Sequence, residues 1–316
     1  MKRILFIFVL LMTAAVLAQT PAKKSTPANP ATGATAAKTP AASTDSSLPS
    51  RQTVEDFLHH TFGYEQNLKW QVAEIKHAAD PSLSEVSVAL NTPEGPRMLK
   101  FFVTPNQKWV ISPAIGELVP FGSDPYAAAR HELQKAAGPS RGPANPSVVI
   151  VEFGDLQCPA CKRAQPTIEK LMADEPNAKL IFQQFPLTQI HKWAMVAAKY
   201  GLCVAKQNND AYWKFIDAVY AHQDEMQQVA ESQVSSQVVP KLKQYAGEAG
   251  VNADQAESCT ADPTIAAQID ASMKLGQQLD ITGTPTLFIG GRKIGNVGGI
   301  PYDTLKGITE FQAQSH

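Results

Sequence analysis

Two of the four cysteines in this 316-residue chain, Cys158 and Cys161, are separated by only two residues. A thiol pair at this spacing can alternate between a dithiol and a disulfide. The apolar run 148–151 predicts a buried strand, and a helix is predicted from Cys158 onward. Unpaired N–H groups and the helix dipole would then lower the pKa of the first thiol from its usual value of about 8.5. We therefore predict that Cys158 is the nucleophile and Cys161 the resolving thiol.

Two other kinds of site use cysteines at this spacing. A structural zinc site usually needs four Cys or His ligands, and the remaining cysteines, Cys203 and Cys259, are each isolated in the sequence. An inert structural disulfide is the second alternative. Neither explains why the motif follows a strand and opens a helix, so a redox pair is favoured and no metal site is predicted.

The histidines and the overall charge argue against a metal site and against nucleic-acid binding. The tandem His59-His60 and the single His191 have no second cluster at ligand spacing, so we expect surface or packed histidines. The formal net charge is −1, and no basic cluster stands out. Nucleic acid is therefore not an expected partner.

The first fifty residues resemble an export signal followed by a tether. Lys2 and Arg3 precede an apolar run and small residues up to Ala18, which is typical of a secretory signal peptide over residues 1–18. Residues 19–50 are rich in Ala, Thr, Pro and Ser and predict a disordered linker. The protein is thus expected outside the cytoplasm, in the periplasm or an equivalent compartment, and tethered to the membrane if the signal is not cleaved.

Residues 51–122 are predicted to form a small α+β domain. A short amphipathic helix begins near Thr53, which is a plausible cap. Strands are predicted at 68–78, 85–92, 98–104 and 109–112, separated by turn sequences. This pattern is typical of one helix on an antiparallel sheet.

The remainder of the chain predicts a second, larger domain. Residues 123–146 contain a helix that begins at Asp124 and a Gly/Pro-rich connector. From Ser147 the order is strand, helix, strand, a helical stretch at about 190–280, a hairpin around Gly290-Gly291 and a closing helix. The fold class is therefore α/β, and residues 147–316 form the second domain.

Two segments carry a resemblance to a known family. Residues 148–162, VVIVEFGDLQCPACK, and residues 283–289, GTPTLFI, resemble the DsbA-like branch of the thioredoxin superfamily. The resemblance implies a thioredoxin fold with a helical insertion and thiol-disulfide oxidoreductase activity. It also implies a cis peptide at Thr284-Pro285 facing the cysteines, with Pro159, Ala160, Thr284 and Pro285 as substrate-binding residues.

Three further residues acquire a role from this resemblance. Glu152 resembles the buried acid beneath the cysteines, which would take the proton from Cys161; a strand residue facing water is the alternative. Cys203 and Cys259 match positions that members of the branch often bridge within the helical insert. Two buried free thiols are the alternative to that bridge.

The expected reaction is disulfide formation in unfolded or misfolded exported proteins, with a redox partner that recycles the site and with no cofactor. Ala160 stands where the most oxidising DsbA motifs have histidine, so isomerase or reductase activity is the alternative. Residues 51–122 faintly resemble the dimerisation domains of bacterial disulfide isomerases, which suggests a homodimer. The alternative from a different functional class is a non-catalytic peptide-binding chaperone in which the Cys158–Cys161 disulfide is structural.

Overall fold

A computed structural model describes residues 47–92, 95–112, 118–295 and 297–315 of the chain. The predicted signal peptide, and the predicted linker up to residue 46, lie outside the described residues. Within the described ranges no helix combines the length and the apolar character needed to cross a bilayer.

The first structural unit is a helix packed on an antiparallel sheet of order β1-β2-β3-β4-β5. Its elements are α1 (Arg51–Phe62), β1 (Lys69–His77), β2 (Ser84–Thr92), β3 (Gly95–Val103), β4 (Trp109–Ile111) and β5 (Leu118–Pro120). Val54, Phe57 and Leu58 of α1 are buried against the sheet in a separate small core. This is the α+β unit that the sequence predicts, with β5 as an additional edge strand.

The start of α1 differs from the prediction. Ser50, not Thr53, is the N-cap, because its side chain accepts a hydrogen bond from the Thr53 amide at 3.0 Å. Pro49 is already buried. The folded unit therefore begins slightly before Arg51, within the last residues assigned to the linker.

The connector between the two units contributes to the second sheet. Helix α2 (Ala127–Leu133) begins later than predicted, and the Asp124 carboxylate caps the preceding turn by accepting from the Tyr126 amide at 3.3 Å. Strand β6 (Ser140–Arg141) pairs with the strand containing Leu180 and Ile181. The prediction of a helix and a connector for residues 123–146 therefore lacks one element, strand β6.

The second sheet has the order β10-β9-β7-β8-β6. Its remaining strands and their flanking helices are β7 (Val148–Gly154), α3 (Pro159–Asp174), β8 (Ala178–Gln184), β9 (Thr286–Ile289), β10 (Arg292–Ile294) and α9 (Tyr302–Gln314). β7 and β8 are parallel and are joined through α3, whereas β9 runs antiparallel to β7. Central β7 is apolar along most of its length because both of its faces are covered.

The stretch between β8 and β9 is helical throughout its described elements. Its α-helices are α4 (Ala194–Gln207), α5 (Asn209–Ala221), α6 (Val239–Glu248), α7 (Ala253–Cys259) and α8 (Pro263–Gln278). Trp193, Tyr212 and Phe215 of this insert are fully buried in the same core as the inner face of α3. The insert therefore forms part of the wall behind the cysteines.

The turn between β9 and β10 depends on two glycines. Ile289 pairs directly with Arg292, so Gly290 and Gly291 form a two-residue turn, with φ of 56° and 87°. A Cβ on Gly291 would also lie 2.5 Å from the Arg130 side chain of α2. The glycines therefore permit both the turn and the close approach of the connector helix.

Candidate active site

The junction between β7 and α3 positions both cysteines. The Cys158 amide donates to the Asp155 carbonyl at 3.0 Å, which closes a turn after β7, and Cys158 is then the N-cap of α3. Pro159 occupies the first turn, where its missing N–H is no disadvantage. Cys158 is 6% exposed and Cys161 is fully buried, so only the first sulfur reaches the surface.

Hydrogen bonds around Cys158 favour its thiolate. The Cys161 thiol, which donates to the Cys158 sulfur, is the main cause that lowers the pKa of Cys158 to about 5. Partial burial opposes this shift, while Thr284 and the amides of Cys161 and Ala160 add to it. As a thiol, Cys158 donates to the Thr284 carbonyl at 3.3 Å.

Cys161 has the opposite tendency. Burial is the main cause that raises the pKa of its thiol well above the usual range, and the negative charges of Cys158 and Glu152 raise it further. The Asp155 amide, which donates to the Cys161 sulfur at 3.5 Å, offsets only part of this effect. At neutral pH the pair therefore consists of one thiolate and one thiol.

Glu152 lies on β7 between strands β8 and β9, opposite Phe182 and Leu287. It is 1% exposed, so the alternative of a strand residue facing water is wrong. Burial raises the pKa of Glu152 to about 8, although the positive charge of Arg141 opposes the shift. Its Oε1 has no hydrogen-bond partner among the residues that the structure describes.

Thr284 and Pro285 face the cysteines from the loop before β9. Their peptide bond is cis, as the family resemblance implied. A cavity of about 390 Å³ opens between this loop and the start of α3. Its lining residues are Ala160, Arg163, Thr284, Pro285, Gly295, Val297, Gly298 and Gly299. Pro159 is exposed beside it, so three of the four predicted substrate-binding residues line one cavity and the fourth adjoins it.

The other two cysteines lie in the helical insert. Cys203 of α4 and Cys259 of α7 form a disulfide with an S–S distance of 2.07 Å. Their Cα atoms are 5.8 Å apart, although 56 positions separate them in the sequence. The bridge therefore ties α4 to α7.

The histidines singled out in the sequence have identifiable contacts. The His60 ring makes a hydrogen bond with the Asp56 carbonyl at 2.9 Å, and the His59 ring lies 5.2 Å from that of Phe311. His191 is different, because its Nδ1 lies 2.7 Å from the buried carboxylate of Asp155. Sequence reasoning missed this pair, since nothing in the local pattern links residues 36 positions apart.

The opposed pKa shifts predict selective alkylation of the reduced protein. At pH 6 a thiol with a pKa of about 5 is about nine-tenths ionised, whereas the Cys161 thiolate is scarce. A low-pKa thiolate is a weaker nucleophile, which offsets part of this advantage. We expect iodoacetamide to label Cys158 at least about tenfold faster than Cys161. Peptide mapping of the labelled protein measures the two rates. Equal rates, or faster labelling of Cys161, would contradict the assigned roles.

The strand, the helix that opens with a reactive cysteine, and the cis-proline loop define a dithiol–disulfide site on a thioredoxin fold. The family model described as Thioredoxin matches residues 134–309. This chain therefore belongs to the thioredoxin family, which confirms the resemblance and the fold class. The match begins in the connector, before the boundary expected at Ser147.

Individual relatives were also found. A probable disulfide bond formation protein D of Bacillus cereus is 27% identical over 182 residues, which cover 56% of this chain and 77% of the relative. A Na(+)/H(+) antiporter NhaA 3 of Salinispora tropica is 30% identical over 153 residues, which cover 48% of this chain but only 22% of the antiporter. The crystal structure of oxidised BdbD from Bacillus subtilis is 24% identical, with a TM-score of 0.49, and covers 58% of this chain and 95% of that one.

Proposed function

We propose that this protein is an exported thiol-disulfide oxidoreductase that forms disulfides in other proteins. The observation that carries the proposal is the placement of Cys158 at the start of α3, with Cys161 buried behind it and the cis Thr284-Pro285 bond facing it. A stable Cys158 thiolate favours the reduced dithiol, and therefore makes the oxidised form a better oxidant. The relatives named as disulfide bond formation proteins support the same activity.

The proposed reaction begins with the Cys158–Cys161 disulfide. A substrate thiolate attacks the Cys158 sulfur, the bond to Cys161 breaks, and a mixed disulfide forms. A second substrate thiolate then attacks the substrate sulfur of the mixed disulfide and releases Cys158 as a thiolate. The substrate loses two electrons and the cysteine pair gains them, so a redox partner must reoxidise the pair after each cycle.

Glu152 is proposed to supply and remove the proton of Cys161. When the disulfide opens, the buried Cys161 sulfur leaves as a thiolate whose pKa is strongly raised, so it needs a proton. A carboxyl group with a pKa of about 8 is largely protonated at pH 7 and can provide it. In the reverse direction the carboxylate accepts that proton as Cys161 attacks the mixed disulfide.

A Glu152→Gln variant is therefore expected to exchange disulfides about 10 to 100 times more slowly, without the inflection near pH 8 that the carboxyl imposes. The same variant should be more stable. Folding raises the pKa of Glu152, so the carboxyl lowers the free energy of unfolding as the pH rises from the pKa of the unfolded chain towards 8. At pH 7 this loss of stability is about 3 kcal/mol, and the neutral glutamine avoids it. Stopped-flow exchange rates and urea unfolding check both effects. A variant that is destabilised and retains its full rate contradicts the proposed role.

The cavity beside the cysteines supports an extended polypeptide as the substrate. Thr284 and Pro285 line it on one side, and Ala160, two residues after the nucleophile, lines it as well. A substrate cysteine lying there would be presented to Cys158, whose sulfur already contacts the Thr284 carbonyl. Unfolded or misfolded exported proteins fit this description, because their cysteines lie in accessible, extended chain.

The direct test measures which substrates the protein converts. Oxidised full-length protein should convert reduced, unfolded ribonuclease A into its disulfide form, and Cys158→Ser should not. Rescue of scrambled ribonuclease without net oxidation would assign isomerase activity instead. A reduction potential below about −300 mV would favour the chaperone alternative, since structural disulfides lie there and catalysts lie at about −120 to −270 mV.

Export is proposed on two grounds. The Cys203–Cys259 disulfide requires a compartment in which disulfides persist. The N-terminal residues 1–18 also have the pattern of a secretory signal. We propose a periplasmic or equivalent location, with attachment to the membrane if the signal remains uncleaved.

A homodimer through residues 51–122 is proposed from the outer face of the first sheet. Large apolar side chains on β3, β4 and β5 remain exposed there: Met98, Trp109, Ile111 and Leu118. This face reaches β5, the last strand of the sheet among the described residues, and an edge strand can pair with a second copy. A two-fold dimer would place two cysteine pairs around a shared cleft and favour isomerisation.

The dimer predicts that charge on this face dissociates the protein. Ile111 and Leu118 are directly opposite each other across β4 and β5. The double variant Ile111→Glu/Leu118→Glu should halve the molar mass measured by light scattering at micromolar concentration. Gln52→Glu, which adds a charge at an exposed position of α1 on the opposite side of the sheet, is the matched control. A native protein that is already monomeric would exclude the dimer and weaken the isomerase alternative.

A further inference from the structure

Asp155, which lies three residues before Cys158, forms a hydrogen-bonded pair with His191. The Asp155 side chain is fully buried, and its Oδ2 lies 2.7 Å from Nδ1 of His191. The same oxygen accepts from the Leu187 amide at 2.8 Å, and Oδ1 accepts from the Gln157 amide at 2.8 Å. Three hydrogen bonds therefore hold the carboxylate, and the carboxylate in turn orients the imidazole.

The same aspartate is tied to both cysteines through its backbone. Its carbonyl accepts from the Cys158 amide at 3.0 Å, and its amide donates to the Cys161 sulfur at 3.5 Å. His191 lies after β8, far from the motif in sequence, yet Asp155 links it to the loop that carries the nucleophile. The arrangement gives the imidazole a defined position relative to that loop.

Charges around the imidazole favour its protonated form. The hydrogen bond with Asp155 is the main cause that raises the pKa of His191, partial burial opposes it, and the charges of Asp155 and Cys158 add to the rise. Lys192, the next residue in the chain, forms an exposed ion pair with Glu231 at 3.9 Å. The His191 side chain itself is only 12% exposed, so solvent screens it weakly.

We propose that His191 is a positioning residue whose imidazolium stabilises the Cys158 thiolate. The proposal rests on the proposed function and deepens it, because it names a source of positive charge outside the Cys-Pro-Ala-Cys motif. Ala160 provides no charge between the cysteines. His191, oriented by Asp155, supplies that charge from the loop before α4.

The coupling between the two groups must be reciprocal. If a protonated His191 favours the thiolate, the thiolate favours protonation of His191 to the same extent. Formation of the Cys158–Cys161 disulfide removes the negative charge, and His191 should then bind its proton less tightly. The redox state of the cysteines is therefore expected to be visible in the titration of this histidine.

The first experiment titrates the thiolate absorbance at 240 nm in the reduced full-length protein. His191→Asn removes the charge, while its amide can still donate to Asp155. We expect the pKa of Cys158 to rise by about 0.3 to 1 unit, a smaller effect than a direct ion pair gives, because the hydrogen bonds within the motif dominate. His131→Asn, which alters an exposed histidine 3.5 Å from Glu132, should leave that pKa unchanged. An unchanged pKa in folded His191→Asn overturns the proposal.

The second experiment uses only the wild-type protein, so it does not depend on whether a variant folds. NMR titration of the wild-type imidazoles should give a higher pKa for His191 in the reduced protein than in the oxidised protein. Equal values in the two states would leave His191 with a purely structural role and overturn the proposal. Neither measurement requires turnover. A protein that shows both shifts but oxidises no substrate therefore disproves the proposed function alone, whereas an active protein without the shifts disproves only this inference.

Discussion

A Cys161→Ala variant is expected to accumulate mixed disulfides between Cys158 and other proteins, whereas Cys158→Ala should form none. The reason is that Cys158 attacks the substrate, whereas Cys161 resolves the mixed disulfide. Cys158 reaches the surface at the start of α3, so its thiolate attacks substrate disulfides even when its partner is absent. Without the Cys161 thiol the covalent intermediate cannot be resolved from within the protein.

The measurement is non-reducing electrophoresis of the reduced variants after incubation with a disulfide-bonded substrate protein. Cys161→Ala should give a higher-mass band that disappears on reduction, and Cys158→Ala should match the double variant lacking both thiols. Disulfide exchange by Cys158→Ala should fall to the uncatalysed rate. Equal trapping by the two single variants would show that Cys161 is also accessible, which contradicts its complete burial.

Loss of the Cys161 thiol has a second consequence for this experiment. The Cys161 S–H donates to the Cys158 thiolate and is the main cause of its low pKa. In Cys161→Ala the pKa of Cys158 should therefore rise, and trapping should become slower at pH 5 to 6 than at pH 8. The trapping experiment is best performed at neutral pH or above, where the thiolate remains abundant.

Local patterns in the sequence were sufficient for the elements that carry the site. The apolar run in β7, the helix that opens at Cys158 and the two-glycine hairpin each have a short-range signal, and the structure contains all three. Strand β5 and strand β6 were not predicted. They are three and two residues long, and each contains or adjoins a proline, which indicates a turn or connector rather than a strand.

The environment of each site residue was less accessible to sequence reasoning. Glu152 occupies one position in a strand, and only the packing of β8 and β9 on both sides reveals that it faces the interior. The Asp155–His191 pair joins residues on different loops, so it depends entirely on tertiary structure. A histidine near a buried acid carries no motif of its own, and His191 was accordingly interpreted as a surface or packed residue.

Removal of the Cys203–Cys259 disulfide is expected to lower the free energy of unfolding by about 4 kcal/mol, within a range of about 2 to 5 kcal/mol. The bridge spans 56 positions, and closing a loop of that length reduces the entropy of the unfolded chain by a corresponding amount. Cys203 is fully buried in the core of the helical insert, so its replacement by alanine also loses some packing. The melting temperature should fall by about 10 °C.

The double variant Cys203→Ala/Cys259→Ala separates the effect of the bridge from that of an unpaired thiol. Calorimetry should be carried out with the Cys158–Cys161 pair held in the dithiol state, because the redox state of that pair has its own effect on stability. Strong reductant that opens the second bridge should lower the melting temperature of the wild type towards that of the double variant, and should leave the double variant unchanged. The pKa of Cys158 should be the same in the double variant as in the wild type, because the bridge ties α4 to α7 and does not contact the β7–α3 junction. A double variant as stable as the wild type would show that the helical insert is held by its core alone.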